Sequence, residues 1–158
     1  MSAELLMHNR IVIDTGPLLL YLVGFIRIKE LKQFNYNERD FILLNIYLKN
    51  IKNICVTPQV LAEISNLAKR RLGSKTFPSF IISCCRSLEV IGEEYIHKDE
   101  IINSHSISIL GITDTSLILA SKRGNLILTD DGPFFYYCIQ NNIPAISLDT
   151  LRTLMPMV

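Results

Sequence analysis

Acidic residues stand at four places along this chain of 158 residues where hydrophobic segments begin, end or turn amphipathic. Asp14 closes the apolar run Ile11-Val12-Ile13, and Glu63 sits in the helical stretch Val60-Leu61-Ala62-Glu63-Ile64. Asp114 opens the helix that carries Leu117-Ile118-Leu119-Ala120, and Asp130 and Asp131 follow the strand-like Leu126-Ile127-Leu128-Thr129. An unpaired charge on a buried edge costs several kcal/mol. Two carboxylates about 4 Å apart repel by about 4 kcal/mol at an effective dielectric near 20. Acids gathered from four segments can therefore converge only with protons or a cation between them. An all-oxygen set without Cys or His favours Mg²⁺ or Mn²⁺ over zinc.

Each acid also has a purely structural reading. Asp14 precedes Thr15-Gly16-Pro17 and can bond local backbone amides as a turn residue. Asp114 complements the dipole at a helix N-terminus, and Asp130-Asp131-Gly132-Pro133 is good turn chemistry. Glu63 flanks the Val60, Ile64 and Leu67 stripe at the margin of the packing face, and lies too far past Thr57 to complete a capping box.

The elements that must position these residues follow from periodicity. Ile11–Ile13 reads as a strand buried on both faces, followed by a helix with Pro17 at its first position, running to about Ile26. Asn37-Glu38 opens a second helix with Phe41, Leu44 and Leu48 on its apolar side. Ile54–Val56 is a second strand. Thr57-Pro58 then forms an N-cap and first-position pair for a helix to Leu72, stopped by Gly73. A further helix is expected from near Pro78, a strand around Leu88 to Ile91, and a short helix near Asp99 to Ile102. The last elements are a helix from Thr113 to Gly124, a strand at Leu126–Leu128, a helix near Phe134–Asn141, a strand at Ala145–Leu148 and a short helix from Asp149. Strands alternating with helices predict an α/β fold, a three-layer α/β/α sandwich around a mostly parallel sheet, in one domain over residues 1–158. Ligands in such sheets bind beyond the carboxyl ends of strands, which brings Asp14 and the Asp130-Asp131 pair to one edge.

Composition sets the class. Hydrophobic residues make up 49% and charged residues 20%, the mean hydropathy is +0.28, and the net charge is +1. These values describe a packed globular protein, and the charge makes no case for or against nucleic acid. Cys55, Cys84, Cys85 and Cys138 form no CxxC pair and share no ligand spacing with His8, His97 or His105. Cys55 and Cys138 have Ile, Val or Tyr beside them, and buried, reduced thiols in a reducing compartment are expected. The longest apolar stretch, Leu18–Ile26, falls far short of the ~20 residues that span a bilayer. The N-terminus lacks a signal-peptide pattern, so a cytoplasmic protein with no membrane partner is expected.

The order of these residues resembles the PIN domain, a fold of metal-dependent ribonucleases that includes the VapC toxins of bacterial toxin–antitoxin pairs. Its opening strand and Asp-Thr are matched by Ile11-Val12-Ile13-Asp14-Thr15-Gly16-Pro17. Its helical Glu is matched within Thr57-Pro58-Gln59-Val60-Leu61-Ala62-Glu63-Ile64. Its helix-opening Asp is matched by Thr113-Asp114, with Ala120 following. Its strand and Thr-x-Asp-x-x-Phe are matched by Thr129-Asp130-Asp131-Gly132-Pro133-Phe134. The likeness runs from about Arg10 to Leu154. It departs from the family in a long apolar insert between Asp14 and Glu63.

The resemblance implies hydrolysis of RNA phosphodiester bonds, with a Mg²⁺ or Mn²⁺ ion held by Asp14, Asp114 and Asp131 and with Glu63 nearby. Thr129 is then placed to orient a carboxylate or a water, Thr15 stands just outside the ligand set, and Asp130 lies at the rim. Lys69, Arg70, Arg71 and Lys75 are the densest candidates for holding RNA, although cations there also suit a helix C-terminus. The resemblance leaves open an antitoxin protein and a homodimer as partners. The competing reading is a catalytically silent PIN-like module that binds RNA or protein. Two other α/β classes fit worse. A response-regulator receiver carries its acidic pair after the first strand, and a haloacid-dehalogenase-type phosphatase needs Asp-x-Asp where this chain has Asp14-Thr15-Gly16.

Overall fold

Ile11, Val12 and Ile13 are β-branched and fully buried, and they make strand β1 (Arg10–Ile13) the centre of the sheet. The computed structural model describes residues 8–154. Within them β1, β2 (Asn53–Val56), β3 (Gly92–Glu93), β4 (Leu126–Thr129) and β5 (Ala145–Ser147) pair in the order β3-β2-β1-β4-β5. Every pairing is parallel, with Val12 between Cys55 and Ile127. The expected α/β/α sandwich is present, with a sheet that is wholly rather than mostly parallel.

Helices flank the sheet: α1 (Thr15–Arg27), α2 (Glu38–Lys49), α3 (Pro58–Leu88), α4 (Lys98–Ile102), α5 (Ile107–Ser121), α6 (Gly132–Gln140) and α7 (Leu148–Leu154). A 3-10 segment, Ile28–Phe34, links α1 to α2. Right-handed crossovers put the helices between β1, β2 and β3 on one face and those leading to β4 and β5 on the other. The strand order reverses direction between β1 and β4. The crevice for a ligand in a doubly wound sheet opens at that switch, beyond the strands' carboxyl ends. Asp14 follows β1, and Asp130 and Asp131 follow β4.

Local chemistry explains most element boundaries. Thr57 caps α3 through Val60 N–H at 3.5 Å, with Pro58 at its first position. Asn37 and Asp40 form a reciprocal capping box that starts α2. The α1 start differs from the sequence expectation: Asp14 is the N-cap, the helix begins at Thr15, and Pro17 is its third residue. Pro lacks only a backbone N–H that the first turn leaves unpaired anyway. At Gly73 (φ 72°, ψ 171°) the chain leaves helical geometry, as expected of a stop, but a second helical segment resumes at once and carries Pro78 inside it to Leu88. Likewise α5 starts at Ile107 rather than Thr113 and breaks at Gly111 (φ 82°, ψ −172°). Glycine adopts this backbone without a Cβ penalty. The strand expected at Leu88–Ile91 is instead the helix end and the turn after it. The edge strand is only Gly92–Glu93, paired with Cys55 and Val56.

The thiols follow the expectation in part. All four are free, and burial pushes Cys84 and Cys138 up to about 12, so both stay protonated. Cys55 is only half-buried, and Cys85 is exposed because it lies on the solvent side of α3. Among the described residues, no helix is long and apolar enough to cross a membrane.

The insert between Asp14 and Glu63 is bound tightly to the core. A methyl on Gly24 of α1 would stand 2.1 Å from Phe41 Cδ2 of α2. Gly24→Ala is expected to destabilise the fold. Overpacking of about 1–3 kcal/mol exceeds the helix-propensity gain of about 1 kcal/mol. A thermal midpoint at or above the wild-type value would show that the α1–α2 contact yields freely.

Candidate functional site

An open cavity of about 840 Å³ lies at the switch point, lined by Asp14, Glu63, Asp114, Asp130 and Asp131 and, among the described residues, by no cationic side chain. Asp14 is 6% exposed. Its Oδ1 accepts Thr15 N–H at 2.6 Å and its Oδ2 accepts the Thr129 hydroxyl at 2.6 Å. Parallel pairing of Ile13 with Leu128 sets Asp14 beside Thr129, so the register itself makes that contact. Glu63, exposed on α3, accepts the Thr15 hydroxyl at 2.8 Å and the Thr113 hydroxyl at 2.7 Å. Thr15 thus joins the Asp14 and Glu63 carboxylates, and Thr113 ties Glu63 to the segment of α5 that carries Asp114.

The tandem acids diverge. Asp131 is the N-cap of α6, its Oδ1 accepting Phe134 N–H at 2.8 Å, and its own N–H donates to Thr129 Oγ1 at 3.0 Å. Asp130 turns toward α1 and the insert. Its carboxylate lies against Gly16, where an added methyl would stand 1.9 Å from Oδ1, and it accepts the Tyr36 hydroxyl.

Charge crowding is visible in the titration of these groups. Burial first, then the charges of Asp14, Asp131 and Glu63, pushes Asp114 up to about 7. Burial raises Asp14 to about 6 against the lowering effect of Thr129 and Thr15, with Asp130 and Glu63 adding to the rise. Asp130 is raised by burial and by Asp131, and lowered by Tyr36. Half-buried Asp114 has neither a hydrogen-bond donor nor an ion-pair partner among the described residues. Its negative charge faces those of Asp14, Asp131 and Glu63.

As the side chains stand, no three acidic, His or Cys groups among the described residues grip a common metal position. Threonine hydroxyls and backbone N–H groups occupy oxygens of Asp14, Glu63 and Asp131. The donor chemistry nevertheless suits a hard divalent cation, since every candidate ligand is an oxygen. Gln59 adds one more: its Oε1 is buried without a donor, and the residue lines the same cavity.

Sequence reasoning pointed to Asp14, Thr15, Glu63, Asp114, Thr129, Asp130 and Asp131, and the fold brings all seven to this edge. It missed Gln59 and Asn66, which flank Glu63 at helical spacing on α3, and it missed the role of Thr113. It also missed Tyr36, for which no local signal exists. Lys69, Arg70, Arg71 and Lys75 are exposed. They straddle the Gly73 break and lie beyond the cavity, whose lining on α3 ends at Leu67. Arg123 is bound up elsewhere, donating to Glu94 and Glu100. No protein-family model matches the chain, and no curated protein matches it significantly.

Proposed function

We propose that this chain is a Mg²⁺- or Mn²⁺-dependent endoribonuclease of the PIN-domain kind, with Asp14, Asp114 and Asp131 as the residues that would hold the ion and Glu63 beside them. The observation that carries the reading is Asp114, a half-buried carboxyl pushed to about 7 by burial and three neighbouring acids and left without a donor among the described residues. A site this unfavourable when empty of cations makes chemical sense as one built to receive them. The order of the four acidic motifs supplies the substrate class. It resembles that of toxins of toxin–antitoxin pairs, which makes an antitoxin one partner to seek.

A divalent ion bound there supplies charge neutralisation at the phosphate and activation of water. The chain's own residues do the positioning. Thr129 fixes Asp14 by a 2.6 Å hydrogen bond, and Thr15 and Thr113 fix both oxygens of Glu63. Partners of this kind hold ligands in register, and their loss commonly costs about 10–100-fold. Among the described residues no Ser, Cys or Lys lines the cavity, so hydrolysis by direct water attack is the fitting route.

The test is incubation with single-stranded and structured RNA. Cleavage is expected with Mn²⁺ or Mg²⁺, is lost in EDTA, and returns when the ion is restored. A folded, ion-supplied protein that leaves a broad panel of RNAs intact would overturn the reading. Activity confined to phosphomonoesters would point to a phosphatase.

A further inference from the structure

Five carboxylates and no cation line the acidic cavity, so a polyanionic strand needs positive charge close by to stay there. The cluster at Lys69–Lys75 lies past the end of the cavity. A second cavity lies on the insert. It holds about 410 Å³ and is walled by Ile28, Leu31 and Tyr36, with Lys29 and Lys32 on it. Both lysines are exposed and have no partner among the described residues. Glu38 is its single carboxylate. The Tyr36 hydroxyl donates to Asp130, which lines the acidic cavity. One tyrosine side chain therefore reaches from the second cavity to a carboxylate of the first.

We infer that this second cavity is a nucleotide subsite for single-stranded RNA, taking one base against Ile28 and Tyr36 and its flanking phosphates on Lys29 and Lys32. The inference rests on the ribonuclease reading for its substrate class. A strand alternates flat apolar bases with anionic phosphates, and the cavity offers an aromatic and aliphatic wall beside two unpaired cations. Its volume falls within the roughly 300–1,000 Å³ of ligand sites. The insert that sets this chain apart thereby supplies the positive charge that the acidic centre lacks.

The experiment is fluorescence anisotropy of a labelled single-stranded oligoribonucleotide in EDTA, across a salt series, so that binding is read without cleavage. Lys29→Ala/Lys32→Ala is expected to bind about ten-fold more weakly at low salt. Its plot of log affinity against log salt should be shallower by about 1.4, since each single-strand phosphate contact contributes about 0.7. Lys49→Ala/Lys52→Ala, a control pair of exposed lysines away from the cavity, should match wild type. An abasic oligomer of the same length should bind wild type more weakly than the intact one. Equal affinity and slope in wild type and the Lys29/Lys32 variant overturn the inference, as does absence of oligomer binding by wild type. Salt-sensitive binding that depends on these lysines, without cleavage in Mn²⁺, sustains the subsite and removes the ribonuclease reading instead.

Discussion

Replacing Asp114 by Asn is expected to cut RNA cleavage by roughly 10²–10³-fold or more, the scale of losing one preorganised electrostatic group. The same substitution is expected to make the ion-free protein more stable at pH 8. The two effects share one cause. Burial and the charges of Asp14, Asp131 and Glu63 hold the Asp114 carboxyl at about 7, against an ordinary 3.8. The folded chain keeps this proton where the unfolded chain has already lost it. The contribution to stability is therefore fully present below about pH 4 and is lost as pH rises through about 7. At pH 8 the ionised group is a burden on the fold, and Asn removes it. Asp114 is partly open to solvent, so screening reduces the gain to roughly 1 kcal/mol. That corresponds to a rise of about 2–4 °C in Tm for a chain of this size, with a smaller rise at pH 5. Unchanged or lower stability at pH 8, in a variant with native circular dichroism, would mean that the acids are not in repulsive contact.

Asp131→Asn is expected to lower cleavage by orders of magnitude, while Asp130→Asn keeps a measurable fraction. Asp131 raises Asp114, whereas Asp130 has turned to Gly16 and Tyr36 and acts on Asp14 from the side. The start of α6 separates chemistry from stability here. Asn caps a helix about as well as Asp, whereas Ala costs about 1 kcal/mol. Asp131→Asn should thus be inactive at near-native stability, and Asp131→Ala inactive and less stable. If Asp130→Asn proves the more damaging of two folded variants, Asp130 and not Asp131 is the ligand.

The positions of these acids were legible because each follows a signal of its own. A continuous β-branched run names Ile11–Ile13 as an interior strand, and its end delivers Asp14. The run Leu126–Leu128 does the same for Asp130 and Asp131. Thr57-Pro58 announces the start of α3 and hence the turn that carries Glu63. The edge of the sheet was not legible, since Gly92–Glu93 is two exposed residues with no apolar pattern. The apolar Leu88–Ile91 beside it mimicked a strand while finishing a helix. The early start of α5 was hidden in a Ser- and Ile-rich segment whose helix restarts after Gly111. Tyr36 and Asp130 are 94 residues apart. Only the packing of the 3-10 segment and α2 against α1, and of α2 against α7, brings them together, and no periodicity encodes that.

The most direct measurement is calorimetric titration of the ion-free protein with Mn²⁺. Because Asp14 and Asp114 lose their protons near 6 and 7, binding should strengthen from pH 5 to pH 8 and release protons as it does so. At pH 8, wild type is expected to bind with an affinity that Asp14→Asn and Asp114→Asn both lose. Equal Mn²⁺ affinity in wild type and the two variants, or affinity independent of pH over that range, would contradict a carboxylate metal site.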